Sequence, residues 1–354
     1  AGGVAVCLPS ILSQLVAGVL PQPDFVLIDE IAQVLQFLES KECCRANGGN
    51  AQDVFDALVA IIRNAKGVLA MDAGLDDRTI NFLRHCRGDA LTVIRMTPKV
   101  VAKKARIYTS ANPRGDDIRA KILDDIRREL HGGGKVYVAC DSAKTALDIG
   151  AVVSSDGFDV LTVTATTKDK PEVAAFLKSA DKESRRYDAV IVSPAVTSGI
   201  SIEHKGDPHF TLGAFIGSGH SITPADALQQ ISRPRYLTRF VMALGGSNRA
   251  DGQSRLAILK GQTDAADISG MPATVTLYDH LRADIQADRA NACADFAAGL
   301  FWMMQRDEWT LDVSDDVMPG RSKDDLLDAK DARESEWHRA LIDAEIPDPD
   351  TAAM

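Results

Sequence analysis

The sequence is short of positive charge. It has 40 lysines and arginines against 50 aspartates and glutamates, a net charge of -10 with histidine neutral. Proteins that coat nucleic acid over a broad face are normally basic. Any contact of that kind is therefore confined to a local groove. Cysteine is sparse and unpatterned: Cys7, Cys43, Cys44, Cys86, Cys140 and Cys293 include no CxxC pair. That excludes the usual zinc spacings. The adjacent Cys43 and Cys44 have poor geometry for a shared metal or a disulfide, which leaves free thiols in a reducing cytoplasm. No apolar run reaches the about 18 residues of a membrane span. No basic-then-apolar leader opens the chain, and there is no internal repeat or low-complexity tract. A cytoplasmic protein with no membrane partner is expected.

The 354 residues, 45% of them hydrophobic and 25% charged, suffice for two globular units with an appendage. The chain opens on Ala1 and enters a strand-like run, Val4 to Leu8, so a preceding part is expected to be absent. Short apolar runs alternate with helical patterns, as in parallel sheets with crossover helices. A strand over 3–8, a helix over 10–20, a strand over 25–28, a helix over 31–38, a helix over 51–65 and a strand over 67–71 make a first unit. A second unit starts near Ala105, punctuated by Pro113 and Gly115. Its strands are expected at 135–140, 159–164, 188–192, 210–216 and 239–244, with helices at 116–130, 143–153, 171–179 and 224–232. Beyond Tyr278 the pattern is helical, including a charged helix over 324–342.

Four stretches carry chemistry. Val26-Leu27-Ile28-Asp29-Glu30 ends an apolar strand in two carboxylates. Hydrolysis of a nucleoside triphosphate needs magnesium near the outer phosphates and a group that orients the attacking water. Asp29 suits the metal, held through water, and Glu30 suits the water. A strand that simply ends in acidic turn residues would look the same. Gln229-Gln230-Ile231-Ser232-Arg233-Pro234-Arg235 places two arginines just after a helix, where they could stabilise a transferring phosphoryl group. A basic helix end favoured by the dipole is the plain alternative. Ser193 to Ser201, after the strand ending at Val192, offers small hydroxylated residues and Gly199, which allow backbone amides close to phosphates; an ordinary turn would have the same composition. Ala139 to Lys144 has Ser142 and Lys144 at a strand–helix junction, suited to a nucleic-acid phosphate, though also to a capped helix start.

The order of these stretches resembles that of superfamily two helicases, and within them the herpesvirus-type origin-binding proteins and related plasmid and phage replication proteins. The resemblance is carried by Val6 to Ser10, Leu27 to Leu35, Met71 to Leu75, Thr197 to Ser201 and Gln229 to Arg235, with a weaker match at Ala329 to Ala344. It covers roughly residues 4–345. The resemblance implies that Asp29 and Glu30 form the second helicase motif, that Thr197, Ser198 and Gly199 lie in the fifth, and that Gln229, Arg233 and Arg235 form the sixth. Gly199 and Gln229 would face the nucleotide. Ser10, Ser142, Thr197 and Ser198 would touch DNA. Two departures stand out. No GxxxxGK[ST] loop occurs anywhere, and its usual place would precede residue 1. The third motif, usually Ser-Ala-Thr, is replaced by Asp72-Ala73-Gly74.

The expectation is an α/β protein of two RecA-like parallel-sheet lobes with a helical C-terminal appendage. The first lobe, residues 1–105, would be incomplete; the second would span 106–262 and the helical region 263–354. The function implied is an ATP-dependent DNA helicase of replication initiation. It would use ATP and Mg2+, with single-stranded or origin DNA and replication proteins as partners, and would be inactive without a phosphate-gripping loop. Two rivals remain: a two-domain nucleotide-sugar transferase, and a non-catalytic replication-initiation module that only binds DNA or a partner.

Overall fold

The structure, a computed structural model, describes residues 3–16, 22–40, 43, 51–89, 91–96, 101–110, 115–194, 200–245, 252–270, 274–314 and 322–342. It divides into two compact units, residues 1–98 with 251–291 and residues 99–250 with 292–354.

The first unit holds a two-stranded parallel sheet, β1 (Phe25–Ile28) beside β2 (Gly67–Ala70), with Phe25 opposite Gly67 and Ile28 opposite Ala70. Alternate residues of a strand face opposite sides. Val26, Ile28, Val68 and Ala70 turn to a core completed by Leu35, Phe55 and Ile62 from the helices Ile31–Phe37 and Ala51–Asn64. The other face exposes Phe25 and Leu27 at 59% and Leu69 at 44%. The helix Asp77–Arg87 starts where the Asp76 carboxylate accepts from the Thr79 amide at 2.8 Å, a capping bond that satisfies one orphan donor.

The second unit is a seven-stranded sheet whose paired strands all run parallel. Its members are β3 (Lys104–Thr109), β4 (Val136–Cys140), β5 (Val160–Val163), β6 (Ala189–Val192), β7 (Leu212–Gly217), β8 (Arg239–Leu244) and β9 (Thr310–Ser314). They lie in the order β5-β6-β4-β7-β8-β3-β9. Central strands are apolar on both faces because helices cover both. Tyr137 and Ala139 point into one core, and Val136, Val138 and Cys140 into the other. Gly150 allows the helix Ala143–Ser155 to approach β5, since a Cβ there would overlap the Thr162 hydroxyl. The C-terminal helix Lys323–Ile342 is held on this unit by Arg333 with Asp148 at 2.7 Å and Arg127 with Asp325.

The α/β class, the parallel sheets and the helical C-terminal part are as the sequence indicates. Three expectations need correction. Residues 3–7 form no strand, and Leu8–Ser10 is a single 3-10 turn. Pro9, which has no N–H to give, sits in that turn, and no strand pairs with the run among the described residues. The boundary near 105 falls inside β3, which pairs with β8 and β9 and so belongs wholly to the second unit. The region 263–354 is not one appendage. Tyr278, Leu281 and Ile285 enter the first unit's core, whereas Phe296, Leu300 and Met304 enter the second's and β9 extends the second sheet.

Candidate functional site

In the first unit, β1 delivers Asp29 and Glu30 at its carboxyl end, with Asp29 exposed and Glu30 half-buried. Glu30 takes a left-handed conformation, φ 51° and ψ 51°. For a residue with a side chain this backbone costs on the order of 1–3 kcal/mol and persists only where the surroundings impose it. They do so here. The Met71 amide donates to the Ile28 carbonyl at 2.9 Å, and the Ile31 amide donates to the Met71 carbonyl at 3.2 Å. The Glu30 carbonyl accepts from the amides of Gln33 at 2.9 Å and Val34 at 3.0 Å. Asp72 completes the frame: one carboxylate oxygen accepts from the Ala32 amide at 2.8 Å and the other from the Gly74 amide at 2.6 Å. The residue in the place of the third motif thus caps the helix that follows the second. That role had no signature in the sequence, because the two segments meet only through the pairing of β1 with β2.

Ser10 closes the 3-10 turn, half-buried, its amide donating to the Cys7 carbonyl at 2.9 Å and its carbonyl accepting from the Ser13 hydroxyl at 3.1 Å.

The second unit positions the other residues. The helix Pro224–Ile231 begins in a reciprocal cap, in which the Asp226 amide donates to the Thr223 hydroxyl at 3.3 Å and the Thr223 amide to the Asp226 carboxylate at 3.0 Å. Pro224 at its first position is preset for the helix. Gln229 is half-buried on it. Gln230 is buried, donating to the Val192 carbonyl at 3.4 Å while its own carbonyl accepts from the Tyr137 hydroxyl at 3.1 Å. Burial pushes the Tyr137 phenol up, against the nearby Arg233 charge.

After this helix the chain pairs with the segment leading from the fifth-motif region. The Ile202 amide donates to the Arg233 carbonyl at 3.0 Å and the Arg235 amide to the Ile202 carbonyl at 2.9 Å. The two arginines fare differently. Arg233 is 5% exposed, and its guanidinium donates to the Ile200 carbonyl at 2.9 Å. Arg235 is exposed, with Nε donating to the Ser201 hydroxyl at 3.3 Å. Thr197, Ser198 and Gly199 lie outside the described residues. Ser142 is the first residue before the helix Ala143–Ser155 but makes no side-chain cap. The neighbouring Asp141 carboxylate instead accepts from the Ser218 amide at 2.6 Å, bracing the carboxyl ends of β4 and β7.

Among the described residues no group of three His, Cys, Asp or Glu side chains could hold a metal alone. Asp29 fits magnesium in the other way open to it, one carboxylate completed by water and nucleotide phosphates. The chain has no loop of the type that cradles those phosphates. No described helix is long and apolar enough to cross a membrane.

No family model matches the chain, and no curated protein matches it. Several solved structures are similar to it. A variant of S. cerevisiae Dbp5 bound to RNA and ADP-BeF3 is 13% identical, with 91% of this chain and 66% of that one covered and a TM-score of 0.42. The DEAD-box helicase Mss116 bound to ssRNA and UDP-BeF is 11% identical, with 87% and 59% covered and a TM-score of 0.40. T. fusca Cas3 with AMPPNP is 14% identical, with 93% and 40% covered and a TM-score of 0.43. The chain thus spans between 40% and 66% of the length of these three.

Proposed function

We propose that the chain carries motor elements of an ATP-driven helicase or translocase of superfamily two, working on DNA in replication initiation. The observation that carries this reading is the turn at Glu30. A carboxylate pair ends a parallel strand, where open α/β sheets bind ligands. The backbone of the second carboxylate is held in a strained conformation by bonds from two strand ends and a helix. Strain of this kind gathers at working sites because it fixes a side chain that relaxation would let drift.

In the reaction proposed, Asp29 ligates magnesium through water, and the ion supplies charge neutralisation at the outer phosphates. The Glu30 carboxylate accepts a hydrogen bond from the attacking water and orients it toward phosphorus. Arg235, exposed and rigidly based, meets the charge that develops on the phosphoryl oxygens. Arg233 holds the Ile200 backbone, so its part is to position Arg235 and Ser201. Gln229 and Gly199 are assigned to the nucleotide. Ser10, Ser142, Thr197 and Ser198 are assigned to the sugar–phosphate chain of single-stranded or origin DNA. Replication proteins are the partners, in the cytoplasm.

The test is steady-state ATPase activity with single-stranded DNA, in a form of the protein that includes a phosphate-gripping loop. Glu30→Gln is expected to lower turnover by about 10²-fold or more while ATP still binds. Wild-type turnover by this variant would remove Glu30 from the mechanism and the reading with it.

A further inference from the structure

Lys103 belongs to no motif, yet strand order brings it to Arg235. Its carbonyl accepts from the Thr310 amide at 2.8 Å, and the next amide, that of Lys104, donates to the Thr238 carbonyl at 2.8 Å. It is therefore fixed at the amino-terminal end of β3, between the chain entering β8 and the chain entering β9. Its ammonium donates to the Ser232 hydroxyl at 3.4 Å and lies 4.8 Å from the centre of the Trp309 ring. Neither Lys103 nor Arg235 forms an ion pair among the described residues. The nearest acid acting on Lys103, Asp307, is paired with Arg306 at 3.1 Å. Elsewhere in this unit the comparable cations are matched: Arg106 with Asp312 at 3.0 Å, and Arg239 with Glu129. Burial, and then the Arg235 charge, lowers the proton affinity of Lys103. Two cations held together without a carboxylate, with a serine hydroxyl on each, are arranged for an anion that is not part of the chain.

We propose that Lys103 and Arg235, with the hydroxyls of Ser201 and Ser232, form a phosphate-binding site whose ligand is the terminal phosphate of the nucleotide. The choice of nucleotide rests on the function proposed above. The site itself rests on the pairing pattern. A backbone phosphate of single-stranded DNA has the same chemistry and is the other possible source.

The 354-residue chain is titrated by calorimetry with tripolyphosphate and, separately, with a thymidine oligonucleotide. Lys103→Gln and Arg235→Gln are each expected to weaken tripolyphosphate binding about 10- to 100-fold, the scale of one charge-assisted hydrogen bond. Lys103→Arg, which keeps the charge, should stay within a few-fold of wild type. Melting curves on the same variants separate lost binding from lost folding at Trp309. If Lys103→Gln binds tripolyphosphate like wild type, or if Lys103→Arg binds as poorly as Lys103→Gln, the site is overturned. If only oligonucleotide binding falls, the nucleotide assignment is overturned. An ATPase indifferent to Glu30→Gln would remove the proposed function but leave the titration to decide this site by itself.

Discussion

Arg233 and Arg235 are two residues apart, and replacing each by alanine should give opposite results in two assays. Arg233 is 5% exposed, and its guanidinium donates to the Ile200 carbonyl at 2.9 Å. A hydrogen bond from a charged donor contributes about 1.5–3 kcal/mol, and the carbonyl left behind is buried with residue Ile200. Adding lost packing of the side-chain stem, Arg233→Ala should cost about 2–4 kcal/mol. For a unit of this size each kcal/mol moves the midpoint by about 2–4 °C, so the second unit should melt about 4–15 °C lower. Arg235 is exposed and bonded to a single serine hydroxyl, so Arg235→Ala should cost well under about 1 kcal/mol. On the proposed mechanism it should nevertheless lower ATP turnover by roughly 10³-fold, the scale of an arginine supplied to a phosphoryl transition state. Arg235→Lys should rescue poorly, because an ammonium lacks the planar fork. The assay is a thermal melt followed through the second unit, paired with ATPase rates measured well below both midpoints. Unchanged turnover in Arg235→Ala would refute its catalytic placement. An unchanged melt in Arg233→Ala would refute the packing argument.

Glu30→Gly should relieve the left-handed strain and raise the first unit's stability by about 0.5–1 kcal/mol while turnover falls; a lower urea midpoint would count against the strain. Asp72→Ala removes the acceptor of the Ala32 amide at 2.8 Å and should cost about 1–2 kcal/mol, the loss of a helix cap, read from the same urea curves. Burial by itself would raise the Asp125 carboxyl, but bonds from Lys121, Tyr108 and Arg128 outweigh it and hold the group below its ordinary value. A folded value below the unfolded one, which is about 3.9, gives a stabilisation present above that value and lost as pH falls through the folded one. Acid unfolding of the second unit should therefore be shallower in Asp125→Asn, and identical acid limbs would remove Asp125 from the balance.

The parts of the site that could be read from the sequence are those set by local pattern. An apolar run ending in Asp29-Glu30 and a helix stopped before Arg233 are properties of a few consecutive residues, and both elements lie where periodicity puts them. The unit boundary was not local. Helices late in the chain return to the first core, as when the Tyr278 hydroxyl donates to the Leu38 carbonyl at 2.9 Å. Amphipathicity shows that a helix needs a partner but not which one. The run Val4 to Leu8 erred in the other direction. Strand propensity measures fit to a pleated surface, and a run with no neighbouring strand does not pair.

The same distinction separates the two arginines. The sequence presents them as equivalent, flanking Pro234. Their difference arises because Ile202 pairs with Pro234 in parallel, 32 residues distant by number, and the Ile200 carbonyl arrives beside only one guanidinium. Lys103 is a third case. In the run Val100 to Tyr108 it is an unremarked lysine beside another, and only the neighbouring order of β8, β3 and β9 sets its charge near Arg235. A motif states which side chains are available for chemistry. The long-range pairing decides which of them is committed to holding backbone and which is left charged and accessible, and here that choice falls on Arg235 with Lys103.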